Sequence, residues 1–290
     1  MHDHEQSRLV DIGDTALYVV ERGRGNYPLV ILHGGPGDDH HEFGDYLDPL
    51  GDRCRLVLVD QRGQGRSAPS DERTWTLQQM AADVVLLAKS LGLERYAVLG
   101  HSYGAFVALQ NAVDFPGQAS QTIVSAGIPS VRFLEHVDRN LEVFEPVELR
   151  EQVAASWARE TEIETEEEFA ELMHDQLPFH FADPRDPRIE EYEYRAAGAR
   201  YAPRVLKVFA AAGYGGIELE DRLGEIQHPV LVLAGRHDRT CSVEAAEAMT
   251  KGIPNAELVI FEKSAHMMFV EEPALYIAVV RDFLARLTAS

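Results

Sequence analysis

The sequence predicts an α/β protein, a mostly parallel sheet with helices on both faces and a helical insertion. Three observations carry that reading. Short Val-, Leu- and Ile-rich runs alternate with amphipathic segments over the first 130 residues. The same rhythm resumes from residue 226. Between them, residues 131–225 keep a helical periodicity broken by Pro and Gly and contain no convincing strand. The organisation expected is therefore a core in two parts, 1–130 and 226–290, with 131–225 as a helical cap.

PLVILHGG (28–35) and RLVLVD (55–60) read as strands buried on both faces, because they are short, continuously apolar and stopped by Gly or charge. TLQQMAADVVLLAKSLGL (76–93) reads as a helix, with Thr76 and Gln79 as a capping box and Gly92 as its left-handed terminator. YAVLG (96–100) is the next strand, YGAFVALQNAV (103–113) a helix and QTIVSAG (121–127) a strand. In the cap, TEIETEEEFAELM (161–173) is an acidic amphipathic helix with Ile163, Phe169 and Met173 facing inward. The second core part supplies strand 229–235, helix 243–253, strand 256–264 and a last helix, 274–287, opened by Pro273.

Composition narrows the function. A chain of 290 residues buries about 75% of its unfolded surface, so core size sets no limit. A net charge of −21 argues against a nucleic-acid binder and against docking on anionic membranes, and about half of it falls in the cap. Cys54 and Cys241 form no disulfide framework and read as small buried hydrophobes. MHDHEQSRLV has acidic residues and no apolar core, unlike a leader peptide, and no stretch approaches a membrane span, so a cytoplasmic location is expected.

Gly100-His101-Ser102-Tyr103-Gly104 matches G-x-S-x-G between a strand and a helix. That is the setting of a nucleophile elbow, a tight turn presenting Ser102 at the end of its strand. A serine nucleophile needs a base, and the base an orienter, in the chain order Ser, acid, His. Asp238 follows strand 229–235, and His266 follows strand 256–264. Residues 121–130 hold no acid, which favours Asp238; His237 and His101 are weaker rivals for the base. The oxyanion would meet the Tyr103 amide and a second amide from His33-Gly34-Gly35-Pro36-Gly37, assigned to Gly35 with Gly34 as its substitute. His33 is expected to brace that loop. No metal site is expected, and His40-His41 reads as surface or pocket rim. Arg62-Gly63-Gln64-Gly65-Arg66 lacks the setting of a dinucleotide site, and no cofactor is needed.

HGGPG (33–37), DQRGQGRS (60–67), GHSYG (100–104), GRHD (235–238) and AH (265–266) fall in the order of the α/β-hydrolase fold. HGGPG followed by DQRGQGRS resembles the proline iminopeptidase group in particular. The resemblance covers both core parts and implies hydrolysis of an N-terminal residue, preferably proline, from a short peptide. It also implies carboxylates near the cap that hold the substrate's ammonium group. Glu190, Glu191 and Glu193, set among Tyr192, Tyr194 and Tyr201, are the acids nominated for that task. The stretch 203–217 has no acid, and Arg239 follows Asp238, which lean toward a small ester, lactone or anionic acyl substrate. A carboxylesterase or lactonase therefore stands beside the aminopeptidase, and a ligand receptor on a hydrolase fold is the alternative from another class. A small molecule or short peptide is the partner in each case.

Overall fold

The computed structural model describes residues 5–288; Met1–His4, which entered the reading of the N-terminus, lie outside them. Eight strands form one sheet in the order β1-β2-β4-β3-β5-β6-β7-β8. They are β1 (Gln6–Asp11), β2 (Ala16–Arg22), β3 (Tyr27–Leu32), β4 (Cys54–Val59), β5 (Ala97–His101), β6 (Gln121–Ser125), β7 (Val230–Gly235) and β8 (Ala256–Phe261). β2 runs antiparallel to β1 and β4, and all other neighbours are parallel. The helices are α1 (Leu77–Ser90), α2 (Tyr103–Asp114), α3 (Glu135–Glu142), α4 (Val147–Arg159), α5 (Glu166–His180), α6 (Arg188–Arg195), α7 (Pro203–Ala211), α8 (Val243–Gly252), α9 (Met268–Glu271) and α10 (Pro273–Thr288).

The central strands carry the core. Every residue of β5, β6 and β7 is buried, which explains their unalternating apolar runs: both faces are covered. The β1–β2 hairpin is an addition to the strands expected above. β1 is almost wholly exposed, so it has no apolar stripe to read. It carries charge, and its Arg8 joins Arg55 of β4 on Glu21 of β2, a charged row across three strands. At α1, Thr76 caps the Gln79 amide as expected, but the Gln79 side chain turns to Asp83 at 3.0 Å, so the box is half made. The full box lies between Thr165 and Glu168 at the start of α5. Ile163 and Phe169 are buried there, and Met173 packs partly buried against the same cluster.

Between β6 and β7 the chain runs through α3 to α7. No helix among the described residues is long and apolar enough to cross a membrane. Cys54 and Cys241 are both buried and free.

Candidate active site

Ser102, the loop from His33 to Gly37, Asp238 and His266 all follow the carboxyl ends of parallel strands: β5, β3, β7 and β8. Because these strands lie in one sheet and point the same way, four loops distant in sequence converge at one end of it.

Ser102 sits between β5 and α2 with φ 53° and ψ −121°. A non-glycine residue in that region costs about 1–3 kcal/mol and persists only where its surroundings impose it. Its N–H donates to the Ser125 carbonyl at 2.9 Å. The flanking glycines make the turn possible: a Cβ on Gly100 would stand 2.0 Å from the Gly104 carbonyl oxygen, and one on Gly104 2.3 Å from that of Leu32. Tyr103 opens α2, where first-turn amides have no acceptor within the helix.

His266 Nδ1 lies 2.8 Å from Asp238 Oδ2. Asp238 Oδ1 accepts from Thr240 N (2.8 Å), Thr240 Oγ1 (2.8 Å) and Cys241 N (3.0 Å). Burial alone would raise this carboxyl's pKa, but the imidazole and the two amides outweigh it and hold it at about 2. Neither rival histidine lines the cavity. His237 is exposed. His101 is buried behind the serine, 3.3 Å from Ser125 Oγ through Nδ1, and burial drives its pKa well below the usual imidazole value.

The glycine loop is braced from three sides. Gln61 Nε2 donates to the His33 carbonyl (2.8 Å), and the Gln61 amide donates to His33 Nε2 (3.1 Å). That leaves the proton on Nδ1, which reaches the Gly34 carbonyl at 2.9 Å. The Gly34 amide donates to Glu42 Oε2 at 2.6 Å, and the Gly37 amide to Gln64 Oε1 at 2.5 Å. The 60–67 segment is thus the buttress of the 33–37 loop. Its Arg62 is buried and pairs with Asp14 and Asp83.

His40 and His41 do not line this cavity, and only His41 is partly open to solvent. His40 is buried with Nδ1 2.6 Å from Asp60, and His41 is held by Asp39 at 2.8 Å. Asp39, His40 and His41 cluster at metal-ligand range, but Arg66 already donates to Asp39 at 2.8 Å. The other such cluster, Asp238, Cys241 and His266, is the hydrogen-bonded group just described.

Ser102, Gly35, Tyr103 and His266 line one cavity of about 90 Å³. Its wall is largely apolar, with Phe106, Phe169, Leu172 and Leu206 among its residues, and its carboxyls are Glu42 and Glu160. Glu190, Glu191 and Glu193 do not line it. On α6 it is Tyr192 that turns inward, so its neighbours along the helix point away. Glu191 pairs with Arg195, and Glu193 with His174. Glu160, at the end of α4, was not singled out in sequence: one more acid in an acid-rich segment carries no local signal. It is buried, accepting from Gln176 Nε2 (2.9 Å) and from the Tyr214 hydroxyl. Burial raises its pKa against those two donors.

Arg239 does not line the cavity either. Its guanidinium donates to the carbonyls of Phe179 (3.0 Å), Phe181 (2.7 Å) and Ala182 (3.4 Å), where a cation meets the negative end of α5. Two more bonds join the same stretch to the histidine loop. The His266 amide donates to the His180 carbonyl at 3.0 Å. Glu271 accepts from the amides of Ala182 and Ala265, each at 2.8 Å.

Burial raises the Glu271 pKa to about 7. The folded state therefore holds a proton that the unfolded chain has lost, and stability falls as pH rises from about 4.5 to about 7. Glu271→Gln, which cannot ionise, should lack that component. Relative to the variant, the wild type should lose on the order of 2 kcal/mol across the window. Parallel pH profiles of thermal unfolding would refute this.

The model of a family described as the alpha/beta hydrolase fold matches residues 27–273. A proline iminopeptidase of Clostridium botulinum is 31% identical over 271 residues, covering 89% of each chain. Among solved structures, an alpha/beta fold family hydrolase from Bacillus anthracis superposes with a TM-score of 0.81 at 21% identity, covering 96% of this chain and 99% of that one. A proline iminopeptidase of Mycobacterium smegmatis superposes at 0.76 with 24% identity, covering 98% and 100%.

Proposed function

The chain belongs to the alpha/beta hydrolase fold family, and on that premise we propose that it is a serine hydrolase acting as an aminopeptidase of the proline iminopeptidase kind. The observation that carries the chemistry is the strained Ser102 in a cavity shared with His266, whose Nδ1 is bonded to Asp238. In this reading His266 Nε2 takes the Ser102 hydroxyl proton as Oγ attacks the carbonyl carbon. Asp238 keeps the Nδ1–H tautomer and balances the imidazolium. The oxyanion is met by the amides of Tyr103 and Gly35. The choice of Gly35 is supported by its neighbours: Gly34 and Gly37 spend their amides on Glu42 and Gln64, and Pro36 has none. The imidazolium then protonates the leaving nitrogen, and water, activated by the same histidine, releases the acyl group. Residues 131–225 act as the cap that closes over this step.

The aminopeptidase assignment is supported by the 31% identical relative and by Glu160, which takes the role expected of Glu190, Glu191 and Glu193. It has lone pairs to spare beyond Gln176 and Tyr214, and a substrate ammonium would compensate its buried charge. A small-ester hydrolase is the second reading, favoured by the apolar remainder of the wall.

The deciding experiment sets proline and alanine 4-nitroanilides against short-chain 4-nitrophenyl esters, with wild type and Glu160→Gln. Removing one partner of a buried charge pair should raise KM for the anilides about 10- to 100-fold and leave amine-free esters unchanged. N-acetylated anilides should be poor substrates. Ester cleavage alone, indifferent to Glu160, would favour the second reading.

A further inference from the structure

We propose that Glu42 is a positioning residue for the oxyanion amide: by holding the Gly34 N–H it fixes the His33–Gly34 peptide, and with His33 on the Gly34 carbonyl it aims the next amide, that of Gly35, beside Ser102. The inference rests on the serine-hydrolase reading above.

Glu42 has no part in the proton transfers, yet it is buried against the reacting group. It comes from the short 3-10 turn His40–Phe43, which Asp39 caps through the His41 amide. Its Oε2 accepts from Gly34 N at 2.6 Å. A Cβ on Gly34 would stand 2.5 Å from Glu42 Oε1 and 3.1 Å from Ser102 Cβ, so the carboxyl and the serine close on the same side of that residue. Gly35 turns the chain at φ 98°, a left-handed conformation in which it has no side chain to anchor it. The peptide that presents the Gly35 amide is therefore fixed through Gly34: its carbonyl by His33, its own amide by Glu42.

The chemistry of the acceptor also suits the place. An ionised carboxylate this close to a developing oxyanion would repel it in a water-poor cavity. A neutral carboxyl accepts the same N–H without that cost. Burial, with Asp38 and Asp39 nearby, drives Glu42 toward the neutral form.

The test compares Glu42→Gln and Glu42→Met in the full chain, on whichever nitrophenyl ester or nitroanilide the wild type turns over. Rates are counted per site titrated by an organophosphorus reagent, so only folded, reactive protein enters. Glu42→Met leaves the Gly34 amide without its acceptor. Its kcat should fall about 10- to 100-fold with KM within about 2-fold, somewhat less than deleting an oxyanion donor outright. Glu42→Gln keeps an acceptor oxygen at the same reach and should recover most of that kcat. If Glu42→Met does not fold, Glu42→Asp, one methylene too short, should show the same loss. A methionine variant with wild-type kcat, a glutamine variant as poor as it, or an effect on KM alone would overturn the proposal. Failure of the parent reading looks different: Ser102→Ala would then stay active, whatever Glu42 does.

Discussion

Ser102→Ala is expected to lower kcat by about 10⁶ while the fold survives, if removal of a serine nucleophile costs here what it does in subtilisin. The change deletes one oxygen from a side chain that no backbone bond of the turn requires. The Ser102 amide still donates to Ser125, and its carbonyl still accepts from Ala105. Alanine must adopt the same φ of 53°, with a side chain no larger than the serine's. Stability should therefore change by less than about 1 kcal/mol. Activity measured with protein purified apart from host esterases, alongside a melting curve, decides the matter. A variant that retains even a hundredth of the wild-type rate would remove Ser102 from the mechanism.

Asp238→Asn is expected to cost about 10⁴ in kcat, by a different route. Asp238 Oδ1 collects three donors and Oδ2 faces His266 Nδ1. An asparagine must keep its one oxygen for the Thr240 and Cys241 amides, which places its NH₂ against the imidazole. Nδ1 is then forced to accept, the proton moves to Nε2, and the base has no lone pair for the serine. Geometry is nearly unchanged while the tautomer is wrong. The loss should appear in kcat more than in KM. A nitrogen NMR spectrum of labelled histidine would show the tautomer change directly. If the rate falls less than about tenfold, Asp238 is not the orienter.

How much of the fold and site was legible in sequence depended on how local each signal is. Short apolar runs mark the strands, and Ser102, Asp238 and His266 stand just past the ends of such runs, because parallel strands bring their carboxyl ends to one side of the sheet. The β1–β2 hairpin escaped notice because an exposed edge strand has no apolar face to declare it. The acids were harder. Glu190, Glu191 and Glu193 share a short segment with tyrosines, but only packing decides which side of α6 faces in, and it is Tyr192's. Glu42 and Glu160 reach the cavity from a short turn and from the end of α4. Nothing within their own neighbours in sequence separates them from solvated carboxylates. Arg239 read as a charge for a substrate, whereas its partners are three carbonyls some sixty positions back along the chain.

The bonds that tie residues 179–182 to Arg239, His266 and Glu271 join the end of α5 to the loops that carry Asp238 and His266. The helices inserted between β6 and β7 and the loops carrying Asp238 and His266 are therefore bonded into one part at that edge. From α3, the Asn140 side chain adds a further bond to that edge, donating to the Arg239 carbonyl at 2.8 Å. A ligand that displaced residues 179–182 would strain the His266 loop itself, so filling of the cavity and placement of that imidazole are linked through four hydrogen-bonded residues.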